Sequence, residues 1–312
     1  MELYIEKEFL DNFYLDYHND VVQEIVKKIF TEYGGKRVFI NFKAVDFKIY
    51  ENENEFFALI SNIIPPAPVN SIKEHLFSKS DFNQTIVFTI KEEEWFEVAG
   101  KKGALCFSFE NYQKKIKEII ENLHFKIDLS EKFLGWDFLQ NFKKINYNSL
   151  VFSDGYILSD KSNQKIVDNI IPILKNMVSV EKENINISIL TKDLNTIQSG
   201  ENYKKENAKK RHSNLNSIFA NYKTKFSIIL SDFPFNFVLH DRNIATNFSL
   251  IDCGEGFNLV PHKASNSQII SETIFDKYTY NRLKNIRKNQ FEYIEKLKRL
   301  ETLKFKMYPE TN

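Results

Sequence analysis

Leu239-His240-Asp241-Arg242-Asn243-Ile244-Ala245-Thr246-Asn247, running on to Asp252-Cys253-Gly254-Glu255-Gly256-Phe257-Asn258, is the densest polar cluster in the second half of this chain. The apolar runs 237–244 and 248–251 predict a pair of strands carrying it. Side chains alternate along a strand, so His240 and Arg242 share one face and Asp241 takes the other. A His beside an Arg is suited to an oxyanion. The guanidinium supplies a fixed fork of donors, and the imidazole supplies a nucleophile or a proton. The Gly254-Glu255-Gly256 turn lets backbone approach closely and aim N–H groups inward.

Upstream, Val151-Phe152 and Asp154-Gly155-Tyr156-Ile157-Leu158 mark a strand edge and a turn. Ile166, Val167, Ile170, Ile171 and Leu174 line one face of a helix over 164–177, which Pro172 kinks or shifts. Strands follow at 185–190 and 226–230. Between them, 203–222 is a basic helix that buries Leu215, Ile218 and Phe219. The order β-α-β-α-β-β-β predicts a sheet with helices on its faces.

Residues 1–145 predict a separate mixed α/β domain. Asn19-Asp20 caps a helix with Val22, Ile25, Val26, Ile29 and Phe30 on one face, stopped by Gly34-Gly35. Strands are expected at 37–42, 85–90 and 104–109, a short acidic helix at 92–98 and another helix at 112–123. Strands alternating with helices imply a mainly parallel sheet. The segment 270–307 reads as a helical, coiled-coil-prone tail, with Leu283, Ile286, Gln290, Tyr293, Leu297 and Leu300 on a seam. That seam suits docking on its own domain, dimerisation or, through its basic outer face, nucleic acid.

The polar cluster resembles the phospholipase D superfamily motif His-x-Lys-x4-Asp-x6-Gly-Ser-x2-Asn. His240, Gly254 and Asn258 match it; Arg242, Asn247 and Glu255 replace its Lys, Asp and Ser. It is closer to the degenerate phospholipase D-like C-terminal domain of microtubule-interacting-and-trafficking (MIT) proteins. That domain carries His-Asp-Arg-x-Ile, then Gly-x-Gly-Leu-Asp, and opens with Asp-Pro-Tyr-Ile. Here His240-Asp241-Arg242-Asn243-Ile244, Gly254-Glu255-Gly256-Phe257-Asn258 and Asp154-Gly155-Tyr156-Ile157 stand in their places. The similarity spans about 150–262.

The resemblance implies a phosphate-directed module acting on DNA or RNA, a nuclease-like effector in a setting such as prokaryotic defence. His240 would be the nucleophile, with Arg242 and Asn258 as phosphate ligands. Asn247, Gly254 and the basic run Lys209-Lys210-Arg211 would be further phosphate contacts. A second His would come from a twofold partner in a homodimer, or from His124-Phe125-Lys126 within the chain. Asn247 and Glu255 speak against catalysis. A like charge about 4 Å from the phosphate costs on the order of 1–4 kcal/mol. The alternative is therefore a non-catalytic module that binds anionic lipid head groups or a protein partner and assembles through its tail. A purely structural polar network is the third reading.

Composition narrows the field. The 312 residues are 42% apolar, which excludes wholesale disorder. Two cysteines exclude a disulfide scaffold and a Cys-based zinc site. Glu6, Asp11, Asp16, Asp20 and Asp46 lack the spacing of a Mg²⁺ site, and no metal or cofactor is expected. The net charge of +1 hides an asymmetry: 201–312 carries 19 Lys and Arg against 12 Asp and Glu. An anionic ligand would meet that part. No apolar run of about 18 residues and no basic, apolar leader is present, so a cytoplasmic location is expected.

Overall fold

A computed structural model describes residues 1–79, 82–158, 163–182, 184–192, 201–231, 242–299 and 305–308. The fold is mixed α/β with two sheets, and the chain divides into two compact units. The first comprises 1–122, 146–148 and 273–281; the second comprises 123–145, 149–272 and 282–312.

In the first unit, β1 (Glu2–Ile5) is followed by α1 (Lys7–Leu15), α2 (Val21–Thr31), β2 (Arg37–Ile40), α3 (Phe47–Glu53), α4 (Glu55–Ile63), β3 (Ala67–Pro68) and α5 (Ile72–Phe77). Then come β4 (Thr85–Thr89), α6 (Phe96–Lys101), β5 (Leu105–Ser108) and α7 (Tyr112–Leu123). The sheet order is β3-β2-β1-β4-β5, all parallel. Such a sheet is covered on both faces, so its central strands are continuous apolar runs; β1 and β4 are buried throughout. The expected helix at 92–98 lies instead at α6. The cap of α2 forms as read: the Asp20 carboxylate accepts the N–H groups of Val22 and Gln23 at 2.8 and 3.0 Å. Residues 273–281 complete this unit. The Tyr280 hydroxyl donates to Gly34 O and the Tyr33 hydroxyl to Ile274 O, both at 2.8 Å, and the two rings stack 4.5 Å apart.

In the second unit, β6 (Phe125–Asp128) and a 3₁₀ segment (Asp137–Lys144) precede β7 (Ser149–Ser153). After them come α8 (Ile171–Met177), β8 (Ile185–Lys192), α9 (Glu201–Ile218), β9 (Thr224–Ser231), β10 (Asn243–Thr246), β11 (Ser249–Cys253), β12 (Gln268–Thr273), α10 (Lys277–Arg299), which belongs to this unit from Arg282 on, and β13 (Phe305–Tyr308). The sheet order is β13-β9-β8-β7-β10-β11-β12-β6. Strands β7, β8 and β9 are parallel, as their helical crossovers require, and β10 turns antiparallel beside β7. Pro172 has no N–H for the carbonyl four residues back, and the helix opens into a π turn, Ile166–Ile170, just before it. Ala208, Arg211 and Leu215 of α9, with Phe219 just beyond its end, form the buried stripe, at spacings of three, four and four. Ile218, expected inside, is 39% exposed.

Within 270–307 the helix occupies Lys277–Arg299; the segment also holds the end of β12 and strand β13. Leu283 is fully buried, and Gln290 donates from Nε2 to Ser153 Oγ at 2.8 Å, so the described part of the seam packs on this unit's own sheet. Arg282 grips Asp252 through two hydrogen bonds of 2.9 and 3.1 Å. No helix of the described residues is long and apolar enough to cross a membrane.

Candidate functional site

The site starts where β7 ends. Asp154 follows Ser153 and is 3% exposed, with its N–H donated to Leu190 O at 3.1 Å. A buried carboxylate is tolerated only if its oxygens are satisfied. Oδ1 accepts the Tyr156 N–H at 2.8 Å, and Oδ2 accepts the Phe257 N–H at 3.1 Å. One carboxylate thereby joins two segments roughly a hundred residues apart, 154–157 and 254–258, two of the three segments that carry the resemblance.

Gly256 explains why the turn between them needs glycine. Its φ is +78°, where other L-residues are strained. A Cβ there would overlap Asp154 Oδ2 and come within 2.7 Å of Arg242 Cδ. Arg242 stands just before β10. Its carbonyl accepts the Cys253 N–H at 2.8 Å, and its Nη1 donates to Gly254 O at 3.1 Å. The guanidinium carbon lies 5.8 Å from the centre of the Tyr156 ring, a cation–π arrangement that orients the fork. Arg242 is half-buried, while Gly254 and Asn258 are exposed. Arg242, Gly254 and Tyr156 therefore gather at one end of the sheet, and Asn258 follows two residues after Gly256.

Glu255 does not confront Arg242. Its backbone N–H goes to Ser267 Oγ at 3.0 Å, and its Oε2 accepts the Ser265 hydroxyl at 2.7 Å. Gly254 N–H donates to Gln268 O at 3.2 Å. The segment 265–268 thus holds the Gly-Glu-Gly turn from behind. Its short polar side chains (Ser265, Asn266, Ser267) are the only signal of this support in the sequence. Cys253, at the foot of the turn, is buried, and burial pushes its thiol up.

Two of the expected phosphate contacts lie elsewhere. Asn247 is fully buried at the other end of β10, and its Oδ1 accepts the Ser149 N–H at 2.9 Å, a clasp between two strand ends. Arg211 is 1% exposed because helical periodicity places it on the inward stripe of α9. Lys209 and Lys210 are exposed on that helix. His240 and Asp241 lie outside the described residues. His124 directly precedes β6 and sits in no group of metal-binding side chains; among the described residues, no three His, Cys, Asp or Glu side chains are placed to hold a metal ion. Of the N-terminal acids, Asp20 caps α2, Asp11 bonds Lys7 and Asn54, and Glu6 accepts the Ile90 N–H at 2.6 Å. Burial raises the Glu6 carboxyl above the usual range.

No protein-family model matches the chain, and the search among curated proteins found no match.

Proposed function

We propose that the second unit is a phospholipase D-like module that binds a phosphoryl group of nucleic acid at Arg242 and Asn258. The observation that supports this is the Asp154 bridge. It draws the Asp154-Gly155-Tyr156-Ile157 and Gly254-Glu255-Gly256-Phe257-Asn258 segments together around a guanidinium oriented by an aromatic ring. Arg presents a planar fork to phosphate oxygens, and Asn adds an amide donor. Exposed Lys209 and Lys210 would extend the contact along a polyanion. Both cysteines are free, which suits a reducing, cytoplasmic setting.

Cleavage is the further step of the same reading. His240 would attack phosphorus, the P–O ester bond would break, and the departing oxygen would take a proton from a second imidazole, in a homodimer the partner's. Water would then release the phosphohistidine. One observation favours the rival, non-catalytic reading: the Arg242 fork is already partly engaged by Gly254 O.

The test is binding of fluorescent single-stranded DNA and RNA between about 50 and 200 mM salt. Arg242→Ala should weaken binding about tenfold or more and lower the salt slope by about one. Absence of oligonucleotide binding by the wild type overturns the proposal, and binding to anionic-lipid vesicles instead would establish the rival. His240→Ala that cleaves as fast as wild type, or a wild type that does not cleave, removes the chemical step and leaves binding.

A further inference from the structure

Strand β6 ends the larger sheet: β12 is its neighbour on one side, and no strand of the described residues lies on the other. Its sequence is Phe125-Lys126-Ile127-Asp128, with Phe125 and Ile127 half-buried and Lys126 and Asp128 exposed. The hydrogen-bond parity of this edge follows from the ladder. Leu129 N–H donates to Ser267 O at 3.1 Å, and the antiparallel register pairs Ile127 with Ile269 and Phe125 with Ser271. In an antiparallel ladder, residues two apart turn their backbone groups the same way. Leu129, Ile127 and Phe125 therefore bond inward to β12, and Lys126 and Asp128 direct their N–H and C=O groups outward.

We propose that this edge pairs with the same edge of a second copy of the chain, antiparallel about Ile127. A twofold axis there sets Lys126 opposite the other copy's Asp128, and Asp128 opposite its Lys126. Three conditions are met by the same register. The residues whose backbone groups face outward are the ones brought into hydrogen-bonded pairs. Their side chains are exposed on one face of the strand. Each pair is of opposite charge, twice over. A lysine on an edge ordinarily discourages strand addition, but Asp128 two residues on converts the repulsion into attraction. The opposite edge of the other sheet shows the contrast: β3 is two residues long and ends in Pro68, which has no N–H to offer.

Apolar surface flanks the edge. A cavity of about 610 Å³ beside it is lined by Ile127, Leu129, Leu134 and Phe138 among others, and Leu134 is 72% exposed. Strand pairing would bring this surface up to its symmetry mate. Four outward groups on each copy make a small contact, so the dimer is weak and reversible, dissociating in the micromolar range or above.

The experiment is a charge swap read by sedimentation equilibrium from about 1 μM to 1 mM. Wild type should show a monomer–dimer equilibrium. Lys126→Glu and Asp128→Lys, each alone, should weaken it about tenfold or more, since both symmetric pairs become like-charged. An equimolar mixture of the two variants should dimerise at least as well as wild type. In the mixed dimer the introduced glutamate faces the introduced lysine, and the native Asp128 of one copy faces the native Lys126 of the other. The mixing arm separates pairing from misfolding, since a variant that failed to fold would not be rescued by its counterpart. A wild type that stays at 36.9 kDa throughout overturns the proposal. So does a dimer that neither substitution weakens, or a mixture no better than its components.

Discussion

Replacing Gly256 with alanine tests the architecture of the candidate site. Two costs fall on this position. The backbone cost comes from φ +78°, about 1–2 kcal/mol for a residue with a Cβ. The contact cost comes from Asp154, whose Oδ2 would have to move off the new methyl group and give up the Phe257 N–H. A hydrogen bond to a charged acceptor is worth about 1.5–3 kcal/mol. Gly256→Ala should therefore cost about 2.5–5 kcal/mol. Gly135 supplies the control within the same unit. Its φ is +113° and no atom lies within 4 Å of an added Cβ, so Gly135→Ala should cost only the backbone part, about 1–3 kcal/mol. Urea denaturation followed by Trp136 fluorescence in a Trp95→Phe background reads this unit, since Trp136 is 2% exposed with its ring 6.4 Å from Phe257. Equal losses in the two variants would show that Asp154 does not pack over Gly256, and the description of the site would be wrong.

Two further outcomes follow from buried groups. Lys36 is 3% exposed with no hydrogen-bond partner for its Nζ, and burial pushes its pKa down to about 8. Between pH 8 and 10.5 the unfolded chain binds at Lys36 the proton that the folded one lacks, so the penalty of burying this lysine fades with rising pH across that window. Lys36→Met should add about 3 kcal/mol at pH 7 and much less at pH 10, checked by urea titrations of both proteins at the two pH values; an equal difference at both would refute it. Burial pushes the Cys106 thiol up to about 12 and raises Cys253 as well. Cys253, which is buried, should not react with a disulfide reagent at pH 7.5 in the native protein, half-buried Cys106 should react slowly, and both should react fast in urea; rapid native labelling of Cys253 would contradict its burial.

What the sequence disclosed depended on whether the signal was local. Helix α2 was legible because Asp20 and the run from Val22 to Phe30 state both its start and its buried face. The π turn was half-legible: Pro172 announced a disturbance without saying which kind. Strand β6 carries period-two alternation in Phe125-Lys126-Ile127-Asp128, yet its place at the sheet edge depends on pairing with Gln268–Thr273, far along the chain. The same distinction divides the site. Gly256 and Arg242 stood out through their own motif, whereas the burial of Asn247 is fixed by Ser149, which no local pattern reveals. Arg211 was the avoidable error. Counting back from Leu215 by four places it on the inward stripe, but the run of neighbouring cations drew attention to charge rather than phase.

The first unit borrows residues 273–281 from late in the chain, and Tyr280 and Ile274 satisfy hydrogen bonds from the turn and helix end around Tyr33 and Gly34. On the ribosome this imposes a delay. At about 5–20 residues per second, roughly 8–30 s pass between synthesis of the first 122 residues and synthesis of the closing piece. Premature termination in between leaves a parallel sheet lacking its tyrosine clasp, a natural substrate for quality-control proteases.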